Sequence, residues 1–169
     1  IGTMSVTELY KISPLGSVSS FCTGIIHGGF FSLIAFYATK ANLNLFETSI
    51  LLFISTISGV LGQWPIGYLS DRYDRRSIIV ITSFSAAFLA FLAILTANDP
   101  IENIYWLSEM HYKKVLFFLF VGMYTSFCLP LFSLNLAHTN DFVEKDKFVV
   151  AGGGLQLIFG FGAISVSYT

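Results

Sequence analysis

The sequence predicts an all-α integral membrane protein with five membrane-spanning helices. The chain is 169 residues long, 54% hydrophobic and only 11% charged. Soluble domains carry about 25% charged residues, so this chain has too little polar surface to coat a water-soluble globule. Five uncharged stretches, residues 15–39, 48–69, 77–97, 115–137 and 148–168, each reach the ~20 residues needed to cross ~30 Å of hydrocarbon. Every Asp, Glu, Lys and Arg falls outside them. A charge at mid-bilayer costs at least a few kcal/mol, so this segregation marks spans rather than buried soluble helices. The runs lack the period-two alternation of a β-barrel strand.

The first span carries Ser20, Thr23 and His27 at offsets 0, 3 and 7, a polar stripe on one helix face. Gly24 and Gly28 beside it form a small-xxx-small pair suited to close helix packing. An ionisable residue at the middle of a span is a candidate functional group, so His27, Ser20 and Thr23 are candidates to line a cavity and to bind substrate or carry a proton. A neutral His bonded to a neighbouring helix would present the same pattern.

The second span runs through Gln63-Trp64-Pro65 into Gly67-x-x-x-Asp71-Arg72 and a short basic turn ending at Arg75-Arg76. Gly67 and Asp71 are four residues apart and share a face; Gly67 is expected to admit a neighbouring helix. Asp71 sits at the negative end of its helix, an unfavourable place unless a partner compensates, whereas Arg72 suits that end. Asp74 is placed to cap the third helix. Arg75 and Arg76 can reach lipid phosphates or acids on a neighbouring helix.

The third span offers only hydroxyls as polar interior groups. The fourth places Tyr124, Cys128, Leu131 and Asn135 on one face, with Tyr124 and Asn135 candidates to line a cavity and bind substrate or carry a proton, and Pro130 should break its hydrogen-bond ladder and bend it. It ends in Ala137-His138-Thr139-Asn140-Asp141, where His138, Asn140 and Asp141 read as a latch or helix cap. In the fifth, Gly152-Gly153-Gly154 suits close packing and Gln156 is a candidate to face a cavity. Tyr105 and Trp106, in the longest connection, suit a membrane interface.

Short connections make neighbouring spans antiparallel. Lys11, Arg72, Arg75, Arg76, Lys145 and Lys147 then share one side, against Lys40, Lys113 and Lys114 on the other. The positive-inside rule puts residues 70–76 and 138–147 in the cytoplasm. The formal net charge of −1 implies no nucleic-acid partner. Cys22 and Cys128, both in apolar stretches, read as small hydrophobes. No metal-ligand cluster, phosphate loop, catalytic set or cofactor motif is present. An integral-membrane enzyme would need clustered His, Asp or Glu at one face, and only His138 with Asp141 comes near.

Gly67-x-x-x-Asp71-Arg72-x-x-Arg75-Arg76 resembles the signature loop of the major facilitator superfamily, with Asp74 where that pattern has glycine. The string from Gln63 to Arg76, with residues 137–141, resembles the C-terminal half of a bacterial subgroup of facilitator transporters. The resemblance implies a single membrane domain over residues 1–169, an incomplete six-helix half of a twelve-helix transporter. Its spans would be helices seven to eleven, with Gly160-x-Gly162-Ala163-Ile164 in the eleventh. The N-terminal half, expected as a partner, and the last helix would be missing from this fragment. The function implied is secondary transport of a small molecule by alternating access in a bacterial inner membrane. Gly67, Asp71, Arg72, Arg75 and Arg76 would be its conformational switch. A non-transporting membrane module, such as a sensor or assembly subunit, is the alternative.

Overall fold

The structure, a computed structural model, describes residues 5–40, 43–97 and 107–167. Tyr105 and Trp106 lie outside the described residues, as does the Lys113 side chain. The described chain folds as helices α1 (Val6–Ile12), α2 (Pro14–Lys40), α3 (Leu45–Arg72), α4 (Arg75–Ala97), α5 (Leu107–Cys128), α6 (Leu131–Asn140) and α7 (Phe148–Ser167). One 3-10 turn, Lys145–Lys147, leads into α7. Five segments are long and apolar enough to cross a membrane: α2, α3, α4, the α5–α6 pair from Lys114 to Asn140, and Lys145–Val166.

Local chemistry sets the ends. Pro14 opens α2, where a missing N–H costs nothing, and the Ser13 hydroxyl accepts from the Gly16 amide at 3.2 Å. α3 begins with a capping box. Asn44 Oδ1 accepts from the Glu47 amide at 2.8 Å, and Glu47 Oε2 accepts from the Asn44 amide at 3.0 Å. Asp74 caps α4 as expected, accepting from the Ser77 amide and hydroxyl, both at 3.0 Å. Those bonds, the backbone one first, hold its carboxyl below the usual aspartate range. Pro130 interrupts the fourth span as expected. α5 stops at Cys128, and α6 restarts at Leu131 with Pro130 as its N-cap.

α1 is not foreseen by the sequence reading. Ser5 caps it, and its one buried side chain, Leu9, joins Ala151, Leu155 and Ile158 of α7. Seven residues are too few for a span, and Thr7, Glu8 and Lys11 break up any apolar run.

Large apolar side chains cover much of the surface, and small and polar residues share the interior with the hydrophobic clusters. Phe53, Val60, Leu61, Trp64, Phe84, Phe88, Phe161 and Ile164 point outward, whereas Ser17, Ser20, Thr23, Ser55, Gly59, Gly62, Thr125 and Asn135 are buried. Lipid tails reward no hydrophobic burial between helices, so small residues that let backbones approach do the joining. α2 pairs most extensively with α7, and α5 with both α3 and α4. At the α2–α7 seam, a Cβ on Gly24 would strike the Phe159 carbonyl, and one on Gly162 the Phe21 carbonyl. The Gly24–Gly28 expectation is borne out. The glycine run of α7 is different: Gly154 meets Leu9, but the Gly153 Cβ position has nothing within 4 Å. α4 buries Ile78, Ile79, Thr82, Ala86, Leu89 and Ala93 at helical spacing and exposes the rest, as a peripheral helix should.

Candidate functional site

The turn between α3 and α4 is tied to the end of α6 through Arg75. Its Nη2 lies 3.2 Å from Asp71 Oδ1 on the last turn of α3, and its Nη1 lies 3.4 Å from Asp141 Oδ1. Asp141 is the C-cap of α6, its amide donating to the His138 and Thr139 carbonyls. One guanidinium thus bridges carboxylates from two helices. The Arg75 side chain is 25% exposed, but Asp71 and Asp141 are 71% and 47% exposed, so each pair is worth at most about 1 kcal/mol. Arg76 adds a second tie, its guanidinium 5.8 Å from the Phe142 ring centre. Phe142 in turn meets the buried His138 ring edge-on at 5.1 Å. Arg72 instead folds back over Tyr68 of its own helix at 4.3 Å.

The structure therefore joins Asp71, Arg75 and Asp141, and seats Arg76 and His138 on either side of Phe142. Asn140 Oδ1 is buried with no hydrogen-bond partner among the described residues. No helix among the described residues packs on Gly67, whose Cβ position has nothing within 4 Å. It lines a cleft of about 200 Å³ between α3 and α6 with Gln63, Ser70, Asp71, Ser133 and Ala137. The face it shares with Asp71 is open, not packed.

The second constellation lies where α2 crosses α5 and α6. His27 Nε2 is 3.0 Å from the Cys128 carbonyl, beside the Pro130 break. A carbonyl can only accept, so Nε2 carries the proton. The ring also packs edge-on to Phe159 of α7 at 5.4 Å. One turn along, Asn135 Nδ2 donates to Thr23 Oγ1 at 3.1 Å, and Thr23 Oγ1 donates to the Ser19 carbonyl at 2.6 Å. Ser20, Thr23 and Asn135 are buried among helices. Thr23 and Asn135 form an interhelical contact, and Ser20 is packed beside them. Gln156 is exposed on the surface of α7. Tyr124 does line a cavity, an apolar space of about 540 Å³ among α2, α4, α5 and the end of α7 that also takes in Tyr37. Its hydroxyl accepts from the Cys128 thiol at 3.4 Å.

Sequence reading missed the opposite end of the bundle, where Lys114 Nζ bonds Glu47 Oε1 at 3.0 Å and joins α5 to the start of α3. The available signal was the capping-box pattern that fixes Glu47. Among the described residues no group of His, Cys, Asp or Glu could hold a metal ion.

The model of the Major Facilitator Superfamily matches residues 4–167. This chain belongs to that superfamily. Its curated relatives include an uncharacterised MFS-type transporter YcaD of Escherichia fergusonii, 23% identical over 164 residues, covering 96% of this chain and 38% of the relative. The YcaD proteins of Escherichia coli O9:H4 and of Escherichia coli strain ATCC 8739 are each 24% identical over 162 residues, again over 38% of their length. The chain thus spans well under half the length of these relatives. No solved structure matches it at a significant level. Superfamily membership and five apolar helices make the chain part of an integral, multi-pass membrane protein.

Proposed function

We propose that this chain forms the C-terminal half of a secondary transporter that carries a small molecule by alternating access, completed by an N-terminal half and a last helix. The observation that carries this reading is the Arg75 bridge to Asp71 and Asp141, at the far end of α6 from the helix break at Leu129–Pro130. A half that rocks against its partner needs a contact that can form and release, and a point about which a helix can bend. A weak, shared ion pair at the end of a two-piece helix supplies both. The open Gly67–Asp71 face, with its cleft against α6, would receive a helix of the other half in one state. The basic turn and residues 138–147 would lie in the cytoplasm, following the excess of Lys and Arg at that end.

The burial of Ser20, Thr23 and Asn135 as interhelical contacts favours a second reading, a non-transporting membrane module held together by the same polar contacts. Vesicles containing the full-length protein separate the two. Uptake from a small-molecule mixture, read by mass spectrometry of the vesicle contents, is expected for the intact protein. It should be abolished by Asp71→Asn at unchanged expression. Uptake that is undiminished in that variant would remove the switch role of Asp71, and no uptake by the intact protein would favour the module.

A further inference from the structure

Two side-chain amides inside the spans, Gln63 of α3 and Gln156 of α7, are exposed and make no hydrogen bond to another described residue. Helix packing brings both to the front of α6. Gln156 stands on the stripe Gly152–Gln156–Phe159, four residues after the one and three before the other, so the three share a face. Both of those neighbours touch α6. The Gly152 Cβ position lies 3.5 Å from Leu136 Cδ1, and the Phe159 ring centre lies 5.0 Å from that of Phe132. Gln63 stands on the matching stripe Gly59–Gln63–Ile66 of α3. A Cβ on Gly59 would strike Leu129, and Ile66 packs with Leu131 and Leu134. Gln63 itself lines the cleft of about 200 Å³ with Ser133, an exposed residue of α6. α6 thus turns Phe132 and Leu136 towards α7, and Ser133 and Ala137 towards α3.

The three polar groups lie at one depth. Gln63 precedes Asp71 by as many residues as Ser133 precedes Asp141, and Arg75 joins those two carboxylates, so each stands about 12 Å along its helix from that tie. Leu136 faces Gly152. Ser133 is three residues from the first and Gln156 four from the second, in the same direction along the bundle, a difference of about 1.5 Å. Lipid is not what these amides meet. An unsatisfied amide in hydrocarbon costs several kcal/mol, and the lipid-facing sides of the same helices already carry Val60, Leu61 and Trp64 on α3 and Leu157 and Phe161 on α7. No Asp, Glu, Lys or Arg occurs within the spans that form this front.

We infer that Gln63, Ser133 and Gln156 are this half's hydrogen-bonding contacts to the carried molecule, and that this molecule is uncharged, with hydroxyl or amide groups at its edges and an apolar middle. Each glutamine offers N–H donors and a carbonyl acceptor, and the serine hydroxyl both donates and accepts, so the belt satisfies a hydroxyl or an amide of either sense. It offers no countercharge. A carboxylate, phosphate or ammonium group held there would be desolvated without being neutralised, which neutral hydrogen-bonding groups do not offset. Between Ser133 and Gln156 lie the half-buried rings of Phe132 and Phe159, which suit an apolar face. Simple sugars, polyols and nucleosides combine these features. The site rests on the transporter reading and deepens it by naming the class of its cargo.

Affinity selection on the full-length protein in lipid nanodiscs tests the site. The probe is a library of hexoses, polyols, nucleosides and small amides, each with its carboxylated, phosphorylated and amino counterparts, and mass spectrometry identifies what is retained. Retention is expected for uncharged members. It should fall roughly two- to tenfold in each of Gln63→Leu, Gln156→Leu and Ser133→Ala, the loss of about one hydrogen bond. Ser133→Ala removes a single oxygen and decides the matter if the leucine variants fail to fold. Retention of the charged counterparts in preference, of no uncharged member, or at an unaltered level in the variants would overturn the site. A lowered unfolding midpoint with unaltered retention would also overturn it, making the amides contacts to a helix of the other half. Binding without uptake in the vesicle assay would remove the transporter reading and leave the site, whereas uptake of a charged molecule would do the reverse.

Discussion

Replacing Gly28 by alanine tests whether the α2–α7 seam is held by backbone proximity. The added Cβ would lie 2.7 Å from the Ala163 carbonyl oxygen and 2.8 Å from its Cα, both backbone atoms of the facing helix. Ordinary contact begins near 3.4 Å, so the helices must part by about 0.7 Å along a seam that also holds Gly24 and Gly162. Overpacking of this kind costs about 1–3 kcal/mol. Alanine's better helix propensity returns up to about 1 kcal/mol, leaving a net loss of about 0–2 kcal/mol against a gain at an open position. Gly24→Ala, whose Cβ would strike the Phe159 carbonyl, should lose more. Gly67→Ala and Gly153→Ala provide the contrast. Their Cβ positions are open, so in this chain they should be neutral or stabilising by up to about 1 kcal/mol. The measurement is reversible unfolding in mixed SDS micelles followed by far-UV circular dichroism. If Gly24→Ala and Gly28→Ala prove as stable as Gly67→Ala, close approach is not what joins α2 to α7.

A double-mutant cycle of Arg75→Ala with Asp141→Asn should give a coupling of at most about 1 kcal/mol that shrinks with added salt; a larger, salt-insensitive coupling would mean that the pair is not solvent-screened. Glu47→Gln should lose the tie to Lys114 yet keep α3 capped, because Gln serves the same position of a capping box; fraying of the Asn44–Thr48 amides in hydrogen exchange would contradict that. The carboxyl of Asp74 is held below its ordinary value by the Ser77 amide, so the cap's contribution is full above the ordinary aspartate range and is lost only as pH falls through the lowered one. The Ser77 amide resonance should report that loss below about pH 3.9, and a midpoint at or above it would refute the bond's effect.

The spans were legible because hydrocarbon imposes one rule on every residue of a crossing helix, and that rule leaves its mark on composition alone. Pro130 and Asp74 were legible because each acts on its own backbone. Partners were another matter. That Asp71 needed a cation could be read from its place at a helix end, but that Arg75 would share itself with Asp141 depends on where α6 ends in space. Ser20, Thr23 and Asn135 show the same limit, since a polar stripe facing a cavity and one facing another helix have identical spacing. Gly67 is the converse case, a small residue whose pattern suggests a contact that this half of the fold does not supply. α1 was hidden by its length, with Leu9 alone reaching the interior.

The ionic contacts described above sit at the two ends of the bundle, Arg75 with Asp71 and Asp141 at one and Lys114 with Glu47 at the other, while the spans between them carry no formal charge when His27 is neutral. A membrane potential acts on displaced charge at about 2.3 kcal/mol per elementary charge per 100 mV. Tilting or bending these helices moves none of it through the field. On the transporter reading proposed above, this part is electrically silent, and any voltage dependence enters with the cargo or through residues beyond this chain.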